Sequence, residues 1–177
     1  MSTTVTTQES TIPAVGAWHA DPVHSSVGFA VKYPGVATFS GELKVFEASL
    51  VDGVLTGKAP VASIEVKDEN LYAHLQSPEF FDAERRPELT FSGRDAGDGR
   101  FEGELTIKGI TKPVTLEGTI TGPVTDPYGN ERYGLALITV IDRTEFGLDW
   151  NAPLPGGGFA LANDVTVTAD LSLVKAA

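Results

Sequence analysis

Apolar and polar residues alternate with a period of two along much of the chain, and the pattern is clearest from Arg100 to Ile120. A two-residue period is typical of a β-strand with one buried and one solvated face. The segment 109–113 interrupts the pattern and is short enough to fold the two halves back on each other. The stretch therefore predicts an antiparallel hairpin. Its apolar face carries Phe101, Gly103, Leu105, Ile107, Val114, Leu116, Gly118 and Ile120.

Similar alternation elsewhere predicts further strands, separated by turn residues. Pro34 and Gly35 end the first of them, and Gly41 predicts a bulge or a sharp bend inside the second. A long loop around Asp126 and Pro127 precedes the penultimate strand. The predicted strands outside the hairpin cover residues 27–33, 36–50, 55–66, 87–91, 135–141 and 165–173.

One segment, residues 68–82, breaks the alternation and has the apolar spacing of helical turns. Asp68 is placed as an N-cap residue, because its side chain can accept a hydrogen bond from the first turn. The Ser-Pro pair at 77–78 predicts a second short helical turn that points Phe80 and Phe81 the same way. These two rings could fill one end of a barrel as part of its core, or they could line the entrance to a cavity. The pattern leaves both interpretations open.

Together these elements predict an all-β protein, an eight-stranded antiparallel up-and-down barrel with a short helical insert near residues 68–82. Closure removes the exposed edge strands that an open sheet would leave. Residues 17–177 are expected to form a single domain, and the Thr- and Ser-rich residues 1–16 a loosely ordered tail. A barrel of this size is either filled by side chains or holds a small ligand. Small residues predicted on inner faces would leave room for one: Gly57, Ala59, Gly103, Gly118, Thr139 and Ala169.

Composition narrows the range of functions. The formal net charge of −11 opposes binding to nucleic-acid phosphates, so no nucleic-acid partner is predicted. The absence of cysteine excludes disulfides, thiolate metal sites and cysteine nucleophiles. The N-terminal residues lack the features of a signal peptide, and no apolar run is long enough to span a bilayer. We therefore expect a cytoplasmic protein without stable membrane insertion.

The side chains that could carry chemistry form no recognisable catalytic or metal-binding pattern. His19, His24 and His74 lack the spacing of a metal site, and a capping or core-edge role is favoured for the last two. Ser25 and Ser26 follow a histidine but lack the G-x-S-x-G context of a hydrolase. We predict no catalytic residue, no metal ligand and no cofactor.

A polar group surrounds Phe146 and has two interpretations. Arg143 lies there among Asp142, Glu145 and Asp149. A surface turn held by an ion pair between Arg143 and a carboxylate is favoured, because such pairs are common at turns. Acid-base chemistry is the alternative.

Four separated motifs occur in order between Trp18 and Lys175, and Pro87 and Phe91 follow the second of them. A single motif would be weak evidence, whereas four in order are hard to obtain by chance. Together they make the chain resemble the YceI-like family of polyisoprenoid-binding proteins. The motifs are DPVHSSVGF at 21–29, HLQSPEFFD at 74–82, LTIKGITKPV at 105–114 and DRTEFGL at 142–148.

The resemblance implies a lipocalin-like barrel with an elongated apolar channel for a long isoprenoid chain, and no catalytic activity. The implied ligand is a polyprenyl phosphate or an isoprenoid quinone, bound for transport, storage or sequestration. Whether two barrels pair as a homodimer is left open. The residues expected at the channel wall are Phe29, Val31, Leu89, Phe91, Leu105, Ile107, Val114, Leu116, Leu137, Val165 and Val167, with Leu75, Phe80 and Phe81 at the lid.

Two other functions remain open from the sequence. One is a filled β-barrel that acts as an interaction module in a stress response, with a protein partner and no lipid. The other is an enzyme acting on an isoprenoid, which the missing nucleophile-base pair and metal set disfavour. If the channel exists, Gly103→Phe is expected to block it.

Overall fold

The computed structural model describes residues 11–33 and 36–176, so the predicted turn at Pro34 and Gly35 lies outside the described residues. No helix in these two ranges is long and apolar enough to cross a membrane. Short 3-10 turns occupy Val61–Ser63 and Arg143–Phe146, and helix α1 is Glu69–Gln76. The strands are β1 (Ala17–Ala20), β2 (Ser26–Tyr33), β3 (Ala37–Leu43), β4 (Glu47–Val51), β5 (Val54–Pro60), β6 (Ile64–Glu65), β7 (Glu88–Gly97), β8 (Arg100–Ile107), β9 (Ile110–Thr125), β10 (Glu131–Asp142) and β11 (Asp164–Lys175).

The strands form one antiparallel sheet that closes on itself through β1 and β11. The ring runs β1-β4-β5-β7-β8-β9-β10-β11, and β11 pairs back with β1. At this seam Trp18 is opposite Lys175 and Ala20 is opposite Leu173. The first half of β11 pairs instead with β2, which continues the sheet through β3 and β6. The predicted all-β, eight-stranded antiparallel barrel with a short helical insert is therefore confirmed.

The hairpin predicted at residues 100–120 is formed by β8 and β9, with a tighter turn than expected. Ile107 is opposite Ile110, so only two residues connect the strands. Both of them, Lys108 and Gly109, have positive φ, at 54° and 74°. Two-residue hairpin loops with positive φ match the twist of the flanking strands.

The strand predicted at residues 36–50 is divided in two, and its bulge is absent. The pairing register of β3 with β2 runs through Gly41 without a shift. The reason for glycine there is the ring of Phe29 on the opposite strand, which would collide with a Cβ at Gly41. The break comes after β3, where the backbone N–H of Lys44 donates to the Ser63 carbonyl at 2.8 Å.

The predicted loose tail at residues 1–16 is partly packed on the barrel. Residues 1–10 of this segment lie outside the described residues. Ile12 is buried in the core. The backbone N–H of Gly16 donates to the Asp52 carboxylate at 2.8 Å. The segment is therefore attached to the barrel at Ile12 and at Gly16.

Two groups of buried apolar side chains fill the two ends of the barrel. We name them the Trp18 cluster and the helix cluster. In the Trp18 cluster the rings of Trp18 and Tyr133 meet edge to face, with centroids 5.8 Å apart. The Trp18 cluster consists of Ile12, Trp18, Leu50, Leu55, Phe101, Tyr133, Leu135, Leu137, Leu171 and Leu173. The helix cluster consists of Val61, Ile64, Leu75, Phe80, Ile107, Ile141, Phe146 and Leu148.

A polar network crosses the break between β1 and β2. Arg132 donates from Nη1 to Asp21 at 2.9 Å and from Nε to Asp126 at 2.7 Å. The same Nη1 lies 3.0 Å from the hydroxyl of Ser172 on β11. His24 hydrogen-bonds through Nδ1 to Asp21 at 2.7 Å. The first sequence motif therefore connects the β1–β2 break to the β9–β10 loop and to β11.

Gly103 and Gly118 lie where neighbouring strands approach too closely for a side chain. A Cβ at Gly103 would collide with the backbone of Ser92, and one at Gly118 with the backbone of Ala136. The prediction that these two glycines leave room for a ligand is therefore wrong. The expectation that Gly103→Phe blocks a channel is wrong for the same reason, because the ring would force the strands apart.

The Arg132 network predicts a pH dependence of stability. Hydrogen bonds from His24, Arg132 and the Val23 backbone lower the pKa of Asp21 from 3.8 to about 2. A depressed carboxyl pKa stabilises the fold above the unfolded-state pKa, and this contribution is lost as the pH falls through the folded-state value. We expect Asp21→Asn to lower Tm near neutral pH.

In thermal unfolding followed by circular dichroism, the Tm gap between Asp21→Asn and wild type should shrink as the pH falls from 3.8 to about 2. Asp170→Asn on the outer face of β11 is the control, because Asp170 is exposed. It should leave Tm unchanged. A gap that stays constant over this pH range would contradict the assigned role of Asp21.

The close approach of neighbouring strands predicts that an alanine substitution destabilises the fold at one glycine and is tolerated at another. Gly103→Ala forces a methyl group into backbone and should cost about 1–3 kcal/mol or more in the free energy of unfolding. Gly57→Ala is its matched control, because its Cβ would meet only the Glu47 carbonyl, at 3.7 Å. It should change stability by less than about 1 kcal/mol. Urea titration measures both, and equal losses would count against the assigned packing.

Candidate ligand-binding cavity

The barrel encloses a cavity of about 580 Å³ between helix α1 and the Trp18 cluster. Leu71 and Leu75 of α1 line it at one end. The five most deeply buried members of the Trp18 cluster do not line it, so they fill the barrel beyond its other end. They are Phe101, Leu173, Leu50, Leu135 and Trp18. A volume of this size lies in the usual range of small-molecule sites.

The residues that the sequence predicts for the channel wall and lid all line this cavity. Most of them are only half-buried although they face inward, as in the case of Leu105 and Leu116. Their uncovered surface faces the cavity, so the described part of the barrel is not filled by its own side chains. The residues concerned are Phe29, Val31, Leu75, Phe80, Phe81, Leu89, Phe91, Leu105, Ile107, Val114, Leu116, Leu137, Val165 and Val167.

Small inward residues widen the cavity at four of the predicted positions. Gly57 and Ala59 on β5, Thr139 on β10 and Ala169 on β11 all line it. Gly57 pairs with a residue of β4 and faces open space, in contrast to the two glycines that are pressed against neighbouring strands. Alternation alone marks these four residues, and also Gly103 and Gly118, as inward-facing. Only the distance to the neighbouring strand distinguishes the four that line the cavity from the two that do not.

Several lining residues were missed by the sequence prediction. Phe39 and Leu43 lie on β3 and alternate with Gly41, so the strand pattern could have found them. Trp150 and Leu161 come from the irregular segment between Phe146 and β11, where no periodicity marks a buried side. The Asn151 side chain fixes this segment, because it donates to the Leu161 carbonyl at 2.7 Å and accepts from the Leu161 N–H at 2.8 Å.

Helix α1 presents one face to the cavity. Asp68 is its N-cap, as predicted, and accepts a hydrogen bond from the Leu71 N–H at 2.9 Å. Residues three and four apart share a face of a helix. Leu71, His74 and Leu75 follow this spacing, and all three line the cavity.

Two side chains of α1 attach the helix to the 3-10 turn between β5 and β6. The Tyr72 hydroxyl donates to the Ala62 carbonyl at 2.8 Å. The Gln76 amide donates to the Val61 carbonyl at 2.9 Å. Because β6 pairs with β3, these bonds hold the helix at a fixed position across the end of the barrel.

The second helical turn predicted at residues 77–78 is not formed. The chain there makes non-helical turns, in which the N–H of Phe80 donates to Ser77 and that of Phe81 donates to Leu75, both at 3.0 Å. The two phenylalanines nevertheless point the same way and line the cavity. Phe80 is 6% exposed and belongs to the helix cluster, so it serves both packing and lining.

The imidazole of His74 is enclosed by aromatic rings at the lid. It meets Phe80 and Trp150 edge to face, with ring centroids 4.9 and 4.6 Å away. Its Nε2 hydrogen-bonds with the Glu79 carboxylate at 2.8 Å. His24 belongs instead to the Arg132 network. In residues 11–33 and 36–176, no group of three or more histidine and acidic side chains is arranged to hold a metal ion.

Arg143 is buried, which corrects the prediction of a surface turn with an ion pair. Its side chain is 3% exposed and lines the cavity. The guanidinium donates to the carbonyls of Ala162 at 2.8 Å, Trp150 at 2.9 Å and Leu161 at 3.3 Å, and to that of Leu148. Arg143 is thus held by backbone oxygens from the segment that follows it.

The carboxylates near Arg143 do not pair with it. Asp142 accepts hydrogen bonds from the N–H and the hydroxyl of Thr144, which lower the pKa of Asp142. Burial lowers the pKa of the Arg143 guanidinium, and the negative charges of Asp142 and Asp149 offset this in part. An arginine stays protonated even so. The cavity wall therefore carries a buried positive charge.

A closed eight-stranded antiparallel barrel around an apolar cavity defines a lipocalin-like binding barrel. The profile of the YceI-like domain matches residues 18–173, and the chain belongs to this family. A UPF0312 protein of Staphylococcus aureus strain USA300 is 30% identical over 157 residues, covering 84% of this chain and 92% of that protein. A UPF0312 protein of Vibrio parahaemolyticus is 30% identical over 152 residues, covering 76% of this chain and 80% of that protein.

Solved structures share the fold. BcnA of Burkholderia cenocepacia aligns with a TM-score of 0.65 at 20% identity, covering 89% of this chain and 99% of that chain. A polyisoprenoid binding domain from Saccharophagus degradans, implicated in plant cell wall breakdown, aligns with a TM-score of 0.72 at 9% identity, covering 92% of this chain and 99% of that chain. At these identities the likeness shows the fold alone.

Proposed function

We propose that this protein binds an isoprenoid lipid in the barrel cavity and acts as a carrier, store or sequestering protein without catalytic activity. The observation that carries the proposal is the unfilled cavity of about 580 Å³ inside a closed barrel. Membership of the YceI-like family and the structural likeness to a polyisoprenoid binding domain support an isoprenoid over other apolar molecules. A prenyl phosphate and an isoprenoid quinone are both candidates.

Affinity in such a site comes from removing the chain from water. Each buried CH₂ group contributes about 0.8 kcal/mol before the costs of ordering are subtracted. The chain is expected to lie along the inward faces of Leu105, Leu116 and Val167, which are half-buried around the cavity. Discrimination between lipids must come from the few polar groups that the wall provides.

Native mass spectrometry of the freshly purified protein tests the proposal directly. We expect a mass above that of the polypeptide, which disappears after organic-solvent extraction, and an isoprenoid in the extract. Delipidated protein should regain the extra mass when geranylgeraniol or an isoprenoid quinone is added. Protein that carries no lipid and takes up neither compound would contradict the proposal.

A blocking substitution tests the location of the site. Gly57→Phe directs a ring into the cavity from a position whose Cβ would meet no atom closer than 3.7 Å. We expect it to weaken lipid binding by about tenfold or more, which corresponds to about 1.4 kcal/mol. Tryptophan fluorescence titration with geranylgeraniol measures the affinity.

Ser92→Phe is the matched control, because Ser92 is exposed on the outer face of the neighbouring strand β7. It adds the same ring outside the barrel and should bind lipid as wild type does. Circular dichroism should show both variants folded. A folded Gly57→Phe protein with unchanged affinity would place the ligand outside this cavity.

A further inference from the structure

Most charged side chains on the cavity wall have a partner, and one does not have a partner of opposite charge. Glu47 and Lys58 pair with each other at 3.4 Å, with both side chains largely exposed. Asp68 caps helix α1, and His74 has an acidic partner of its own. Arg143 is the exception, because it is buried and bonded only to carbonyls. The titratable residues of the lining are Tyr33, Glu47, Lys58, Asp68, His74 and Arg143.

The guanidinium of Arg143 keeps bonding capacity for a ligand. It has five N–H donors. Nε donates to one carbonyl, Nη1 to two and Nη2 to one, which leaves one N–H on Nη2. No carboxylate in residues 11–33 and 36–176 lies within ion-pair distance of Arg143. A buried charge without a counter-charge bonded to it is costly, and an anion beside it lowers that cost.

The position of Arg143 fixes the orientation of a chain in the cavity. The Trp150 carbonyl accepts from Arg143, while the Trp150 ring contacts His74 of the lid. Arg143 therefore lies at the helix end of the barrel. From there the cavity extends past Leu116 and Ala169, which pack against the Trp18 cluster. A head group at Arg143 would place its chain toward the Trp18 cluster.

We infer that the ligand is a single-chain amphiphile with an anionic head, whose head pairs with Arg143 inside the barrel. This inference rests on the proposed function, in that it takes the cavity as the lipid site. An isoprenyl phosphate and a fatty acid share this chemistry. The head group is buried beneath the lid, rather than exposed to solvent at the mouth.

The test compares acid and alcohol forms of the same chain on delipidated wild-type protein. The probes are geranylgeranyl phosphate with geranylgeraniol, and oleate with oleyl alcohol, titrated by tryptophan fluorescence. We expect the anion to bind about tenfold or more tightly than the matching alcohol, as for a hydrogen bond to a charged group.

Two variants assign the preference to Arg143. Arg143→Gln should bind each anion no more tightly than the matching alcohol. Arg143→Lys should retain the preference for the anions in part. If Arg143→Gln fails to fold, the anion preference of the wild-type protein and its partial retention in Arg143→Lys test the inference instead. Preference for the anion in Arg143→Gln equal to that in wild type would overturn the role of this residue.

The outcomes separate this inference from the proposed function. Equal binding of anions and alcohols overturns the inference and leaves lipid binding intact. Failure of every probe to bind overturns both. A preference for geranylgeranyl phosphate over oleate identifies an isoprenyl phosphate as the source of the anion. The reverse order supports the anion site at Arg143 and replaces the isoprenoid of the proposed function by a fatty acid.

Discussion

The pairing of β11 with β1 is the constraint on which the rest of the structure depends. β11 pairs with β2 over its first half and with β1 over its last residues, so one strand both extends the sheet and closes it. The chain can divide its pairing in this way because it breaks at Asp21, whose N–H donates to the Ser172 carbonyl at 2.8 Å. Without this seam the inward faces would open to water, and there would be no enclosed cavity.

The sequence predicted the architecture because a two-residue period reports directly on which face of a strand is buried. It also placed the wall residues correctly on one surface, since inward residues of neighbouring strands share that surface once the barrel closes. The short β1 escaped prediction, because four residues give too few alternations. The division between β3 and β4 escaped it too, because the break at Lys44 depends on a contact with Ser63 from another part of the chain.

The site's polar features depend on contacts that no local pattern reports. Gly57 and Gly103 have the same place in the alternating pattern. A neighbouring backbone comes too close to Gly103 for a side chain, whereas Gly57 faces open space in the cavity. Arg143 stands among acidic residues in the sequence, yet carbonyls between Leu148 and Ala162 enclose it. In the described residues the result is an apolar cavity with one buried cation, Arg143. In the proposed function the walls would supply affinity for a chain, and the cation would select among head groups.

The central claim is that a lipid chain lies in the cavity beside Trp150 and does not reach Trp18. These are the only two tryptophans of the chain. Quenching of tryptophan fluorescence by a chain-brominated fatty acid tests it most directly, in the single-tryptophan variants Trp18→Phe and Trp150→Phe. Because quenching by bromine acts only at short range, Trp150 should be quenched strongly on binding and Trp18 much less. Equal quenching of the two, or quenching of Trp18 alone, would contradict the account.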